Sequence, residues 1–405
     1  MSLFLGPGIA RWTPNTWADI EAAATTGILD ETHWVELKEA IGASKPANLE
    51  LAKDLASLAV DGGMLVIGIQ DDKGKAGAVV GTELTGLGDR IDQVARDRVH
   101  PPLVVRPIEI PHPTVVGAGC ILVIVDAGVE APHMVDDRYW GRGASGKRAL
   151  PDSEVRRRFG ENNQRRTDFQ NRFATIRGNS PVRGHGVLHL EFTPRSGGPS
   201  PVAAAIDRPH ELLARLREGV PRDPLGWSVD QLSSARLVVR GVDLTNFNAH
   251  DSASDILEGD ASSIEAHFTA LRVDEDGSLG LSMSRLIWTE TTSGRPSERQ
   301  VSTEGLASVT HQCSMLAARL GDLAGYGGTW DVGLAISGLQ GARPAPRAGR
   351  YLAGYVEASY PDDRYTALTT TTTRELTSEP RSIARRLLQP AFRVLGVPVD
   401  SNLCF

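Results

Sequence analysis

The chain reads as an α+β protein, with an N-terminal mixed α/β domain followed by a second α+β domain. Three observations lead there. At 405 residues the chain exceeds one ordinary hydrophobic core. Up to about residue 130, strand-like and helix-like segments follow in the order strand, helix, strand, helix, strand, strand. Composition then shifts, past a basic stretch, into strand-rich sequence with longer helices. The expected division is 1–160, a linker helix and linker at 161–182, and 183–405.

In order along the first domain, NTWADIEAAATT is a short helix, with Asn15 as candidate N-cap and Gly27 just past its end. HWVELKEAI has a period of two, placing Trp34, Glu36 and Lys38 on one face of a strand and Val35 and Leu37 on the other. From Asn48 to Val60 an amphipathic helix carries Leu51, Leu55 and Leu58 on one stripe, with Asn48 as cap and Gly62-Gly63 as stop. MLVIGIQ is apolar on both faces, as a buried strand is, and ends in the turn Asp71-Asp72-Lys73-Gly74. GLGDRIDQVARDRV is a helix closed by Pro101-Pro102, and LVVRPIEI and CILVIVDAG are strands.

In the second domain GVLHLEFTP, RLVVRGVDL, EAHFTALRVDEDGSLGLSMSRLIWT and RYTALTTTTTREL read as strands, with Asp276-Gly277 as a hairpin signal. HELLARLRE, STEGLASVTHQCSMLAARLGDLA and SIARRLLQPAFRVL read as helices. Trp227, Trp288 and Trp330 are expected as core anchors, and no repeat or recognisable chemistry marks this half.

Composition narrows the class. A hydrophobic fraction of 40% and a charged fraction of 23% are those of a globular protein. No apolar run reaches the ~18 to 20 residues of a membrane span, and the N-terminus lacks a signal-peptide pattern. The cysteines Cys120, Cys313 and Cys404 are too few and too scattered for a disulfide framework or zinc cluster, which points to a reducing cytoplasm. Net charge is −7, yet nine Lys/Arg face three acids between Arg138 and Arg166. Arg138, Arg142, Lys147 and Arg148 are candidate nucleic-acid contacts there, the plainer alternative being a solvated helix face.

One constellation is a candidate for phosphodiester chemistry. Such chemistry at neutral pH usually needs divalent cations, and Mg²⁺ or Mn²⁺ wants carboxylate oxygens with water in the remaining positions. Glu31, Glu36 and Lys38 supply two carboxylates and a lysine, Glu36 and Lys38 projecting from one strand face. Asp71, at the end of MLVIGIQ, is expected beside Glu36. Mutual repulsion would then make Glu36→Gln neutral or slightly stabilising. Glu and Lys also alternate on many ordinary exposed strands. Gly141 to Lys147 fits the start of a P-loop, but Arg148 stands where a Ser or Thr must hold Mg²⁺.

These residues also resemble a known family. Glu31-Thr-His-Trp-Val-Glu36-Leu-Lys38 is similar to the E-S-x-x-x-E-F-K signature of the Schlafen family. The run from Asn48 to Asp72 resembles the family's helix, Gly-Gly and L-x-I-G-V-x-D segment, and APHMVDDRYWGRGASGKRAL resembles the segment that closes the AlbA-type domain. The likeness covers residues 12 to 160, with Thr32 for the usual serine, Leu37 for phenylalanine and Val60-Asp61 for Asn-Thr. It implies a nucleic-acid-binding protein that cuts RNA with Glu31, Glu36 and Asp71 on Mg²⁺ or Mn²⁺ and Lys38 beside them. Its targets would be RNA, tRNA included, or single-stranded DNA, in phage defence or stress response. A homodimer would form the nucleic-acid cleft, and the C-terminal domain would bind a trigger or place the substrate. The alternatives are a non-catalytic DNA- or RNA-binding regulator and a nucleotide-binding switch.

Overall fold

The structure is a computed structural model and describes residues 3, 5–6, 9, 12–128, 130–143, 146–175, 186–195, 202–220, 232–246, 268–290, 297–324, 326, 328–345 and 358–397. Trp227 and Cys404 lie outside the described residues. The chain divides into two compact units, Met1–Arg165 with Gly325–Thr329, and Arg166–Ala324 with Trp330–Phe405. Both mix helices and sheet, so the protein is of the α+β class.

The first unit opens with α1 (Trp17–Thr25). Its cap is Thr16, one residue past the expected Asn15. Asp19 Oδ2 accepts from the Thr16 and Asn15 amides at 2.8 and 2.9 Å, so the helix start is a capping box. β1 (Val35–Lys38) follows, then α2 (Lys45–Leu58) and β2 (Gly63–Ile67). α2 begins three residues before the expected Asn48. Ser44 caps it, Pro46 suits the first turn, and Asn48 instead accepts from Arg90 Nε at 3.1 Å. β1 and β2 pair in parallel, Glu36 opposite Leu65 and Lys38 opposite Ile67, making a strand–helix–strand unit.

MLVIGIQ is two strands rather than the one expected. The chain turns at Gly68, whose φ is +110°, and leaves the sheet as β3 (Ile69–Asp72), paired only with β4 (Lys75–Val79). A Cβ at Gly68 would meet Cys120 Sγ at 2.8 Å, so the bend requires glycine. β5 (Thr82–Glu83), α3 (Leu87–Arg98), β6 (Val105–Pro111) and β7 (Ala118–Val125) complete the sheet. β7 lies at its centre, antiparallel to β2, β5 and β6.

Strand alternation sorts the core into two layers. Leu65, Ile67, Ile121 and Val123 pack against Leu51, Leu55 and Leu58 of α2 and Ile91 and Val94 of α3. On the opposite face Val35, Leu37, Met64 and Leu122 pack against Trp17 and Ile20 of α1 and against Ile69 of β3. The unit closes with a ribbon of β8 (Met134–Val135), β9 (Arg138–Arg142) and β10 (Lys147–Ala149), then α4 (Asp152–Thr175), which continues into the second unit.

In the second unit a seven-stranded sheet has strands Ser234–Val238, Gly241–Thr245, Thr269–Asp274, Leu279–Met283, Leu188–Pro194, Thr329–Ser337 and Arg364–Thr372 in spatial order. The expected single strand RLVVRGVDL is a hairpin, turning at Arg240 with φ of +61°. Thr329–Ser337, which sequence patterning passed over, is buried along its whole length, with Trp330 fully inside. The helices Thr303–Ala324 and Pro380–Val394 pack against each other. No described helix is long and apolar enough to cross a membrane.

Candidate functional site

Strand β1 sets the site. Val35 and Leu37 are drawn into the α1-side core, so the alternation turns Glu36 and Lys38 toward α2. Glu36 is only 5% exposed. A carboxylate there needs cations, and it has two. Its Oε1 accepts from Lys38 Nζ, and its Oε2 accepts from Arg142 Nη1 at 2.7 Å. Arg142 also donates through Nη2 to the carbonyls of Thr32 and Val35, at 2.9 and 3.2 Å. One guanidinium thus ties β9 to the edge of β1 and to the loop before it.

The network continues into α2 through Asp54, which sequence reasoning missed. Asp54 is 1% exposed and accepts from Lys147 Nζ at 2.5 Å, and Lys38 Nζ lies 3.8 Å from its other oxygen. Lys147 also pairs with Glu50 at 3.1 Å. A signal was present in the sequence, because Asp54 falls three residues after Leu51 and four before Leu58, on the apolar stripe. A charge on that stripe must find a partner inside the fold.

Electrostatics follow from these contacts. Burial opposes ionisation of Glu36, but Lys38 and then Arg142 outweigh it and hold its carboxyl below the ordinary glutamate value. Burial would lower Lys147, yet the Asp54 carboxylate more than offsets this and raises it. Asp54 itself is raised, because burial exceeds what Lys38 and Lys147 restore.

Glu31 is placed differently. Its backbone N–H donates to Gly74 O at 2.8 Å, beside the β3–β4 turn, and its Oε1 accepts from the Leu37 amide at 3.1 Å, on the outer edge of β1. Burial raises its carboxyl, and the nearby charges of Glu36 and Asp71 add to this against the Leu37 hydrogen bond. Asp71 is exposed on β3 and caps its own turn, accepting from the Gly74 amide at 2.6 Å.

Glu31 therefore feels both other carboxylates, but the expected convergence of Glu36 with Asp71 is not seen. The bend at Gly68 carries β3 to the α1 side of the sheet, where Ile69 is packed, whereas Glu36 is turned to the α2 side. Among the described residues no three His, Cys, Asp or Glu are grouped so that they could hold a metal ion. Both Glu36 oxygens are already engaged. As arranged, Glu36 has no oxygen outside an ion pair, and the three carboxylates do not form such a group.

The basic stretch needs a parallel correction. Arg142, expected to contact phosphate, is 5% exposed and bound to Glu36. Lys147 is engaged by Asp54 and Glu50. Arg148 pairs with Glu154 through two hydrogen bonds of 2.9 and 2.8 Å while its side chain stays 45% exposed. Arg138 is exposed and lines a cleft of about 460 Å³ with Tyr139, Leu150 and Asp152. Of the four, Arg138 and Arg148 are the exposed ones, while Lys147 is half-buried.

A second polar node lies nearby. His33 Nε2 is 2.9 Å from Asp61 Oδ2 and Nδ1 is 3.0 Å from Gly143 O, while Arg158 of α4 donates to Asp61 at 3.1 Å. Both ring nitrogens face acceptors, which favours the imidazolium. The Asp61 carboxylate, and to a smaller degree the Gly143 carbonyl, raise His33 against the effect of burial. His133 is buried, with Nδ1 2.8 Å from Pro101 O.

No curated protein matches the chain. A crystal structure of the DIP2311 protein from Corynebacterium diphtheriae is similar at 18% identity with a TM-score of 0.25, over 53% of this chain and 35% of that one. The chain thus spans about a third of the length of that solved protein. Residues 31–151, which hold the Glu36 network and the ribbon of β8, β9 and β10, match the family model described as Schlafen, AlbA_2, so this part of the first unit is similar to a domain of that family.

Proposed function

We propose that the Schlafen AlbA_2 domain binds nucleic acid, RNA in the first place, as a non-catalytic module whose acidic pocket is structural. One observation carries the choice: Glu36 has both oxygens in ion pairs with Lys38 and Arg142. A carboxylate so neutralised holds β1, α2 and β9 together and has little left to offer a cation. Exposed charge for phosphates comes from Arg138 and Arg148.

A divalent-metal-dependent endoribonuclease is the second reading, favoured by the Glu31 carboxyl, raised in part by Glu36 and Asp71. A bound Mg²⁺ or Mn²⁺ would activate water for phosphodiester hydrolysis. A homodimeric cleft, a trigger bound by the C-terminal unit and a role in phage defence or stress response belong to this reading. A nucleotide switch gains nothing, since Lys147 is engaged by Asp54 and Glu50.

Full-length protein incubated with total RNA and with short single-stranded DNA, in EDTA and in Mn²⁺ or Mg²⁺, separates these. Retention without cleavage in either condition supports the binding module. Divalent-dependent cleavage lost in Glu31→Gln and in Asp71→Asn supports the nuclease. Neither binding nor cleavage would refute both.

A further inference from the structure

The Arg142 guanidinium is seated among three oxygens, Glu36 Oε2 and the carbonyls of Thr32 and Val35, at 2.7, 2.9 and 3.2 Å. A carboxylate with two backbone carbonyls is also the kind of donor set that hard divalent cations select. The surrounding charge is already satisfied. Two buried carboxylates, Glu36 and Asp54, are in ion pairs with three cations, Lys38, Arg142 and Lys147. A divalent ion would add two positive charges to a cluster with no deficit. It would also leave a guanidinium, whose side chain is 1% exposed, without its carboxylate.

We propose that Arg142 is the built-in cation of the Glu36 pocket, occupying an oxygen cage that would otherwise accept a divalent ion, so that Glu36 binds no metal in the native protein. The arrangement also serves the fold. Arg142 covers two carbonyls, Thr32 O in the loop before β1 and Val35 O at the start of that edge strand. The inference does not depend on RNA binding.

Metal-stripped full-length protein is titrated with Mn²⁺, followed by electron paramagnetic resonance and by thermal denaturation against EDTA. Wild type is expected to melt at the same temperature with and without Mn²⁺. Arg142→Ala is expected to melt lower in EDTA and to recover in Mn²⁺, and the double variant Arg142→Ala/Glu36→Gln should not recover. Stoichiometric Mn²⁺ binding by wild type that Glu36→Gln abolishes would overturn the proposal. Binding that Glu36→Gln leaves intact places the ion elsewhere and upholds it. A folded Arg142→Ala that ignores Mn²⁺ would overturn the cage. If Arg142→Ala does not fold, Lys38→Met takes its place. That variant frees one Glu36 oxygen but keeps Arg142, so it should still bind no Mn²⁺, and Mn²⁺ binding that Glu36→Gln removes would overturn the proposal.

Discussion

Replacing Glu36 by glutamine tests the network most directly, because sequence and structure give opposite signs. If Glu36 were one of three mutually repelling carboxylates, losing its charge would leave stability unchanged or slightly raised. In the structure its side chain is 7% exposed and neutralises Lys38 and Arg142, the latter's side chain 1% exposed. Removing one partner of a buried pair costs about 3–5 kcal/mol, since the other charge stays desolvated. Glutamine keeps one carbonyl that can accept from Arg142 or Lys38, so the lower end, about 3 kcal/mol, is expected. At about 2–4 °C per kcal/mol for a unit of this size, Tm should fall by roughly 6–12 °C. The assay is thermal denaturation of the full chain by circular dichroism and calorimetry, with Glu50→Gln as control. The Glu50 side chain is 54% exposed, and its loss should cost no more than about 1 kcal/mol. A Glu36→Gln protein that melts at or above the wild-type temperature would refute the buried ion-pair account.

Further outcomes follow from the same geometry. His33 is raised above its ordinary 6.5, so its contribution is fully present below that pH and is lost as pH rises through the folded value. Wild type should therefore lose more stability than His33→Gln from pH 6.5 upward, as read by urea unfolding; parallel curves would exclude His33. Glu36 is lowered, so its contribution is present above 4.5 and disappears as pH falls through the folded value; the wild-type to Glu36→Gln difference should shrink there. Gly68→Ala forces a Cβ to 2.8 Å from Cys120 Sγ at a φ of +110° and should cost about 1–3 kcal/mol, measured by chemical denaturation. Arg138→Ala and Arg148→Ala should weaken RNA binding and flatten its salt dependence by about 0.7 log units per lost single-strand contact, with little change in Tm; unchanged slopes would place the RNA elsewhere.

Local patterning determined much of this protein by itself. The period of two in HWVELKEAI assigns Val35 and Leu37 to one side and Glu36 and Lys38 to the other, and the structure keeps that division. The stripe of Leu51, Leu55 and Leu58 likewise gives the face α2 buries. Spaced motifs between Glu31 and Pro151 were enough for the Schlafen resemblance, because each depends on residue type at a fixed offset. Tertiary structure decided the rest. Whether Gly68 continues a strand or ends it depends on how closely Cys120 approaches from β7, 52 residues away. Which cation meets Glu36 depends on a ribbon 106 residues further on. An arginine in a basic stretch looks the same whether it faces solvent or a buried carboxylate. Only packing separates Arg138, left exposed, from Arg142, taken inside, because desolvating a charge is affordable only where the fold delivers its partner.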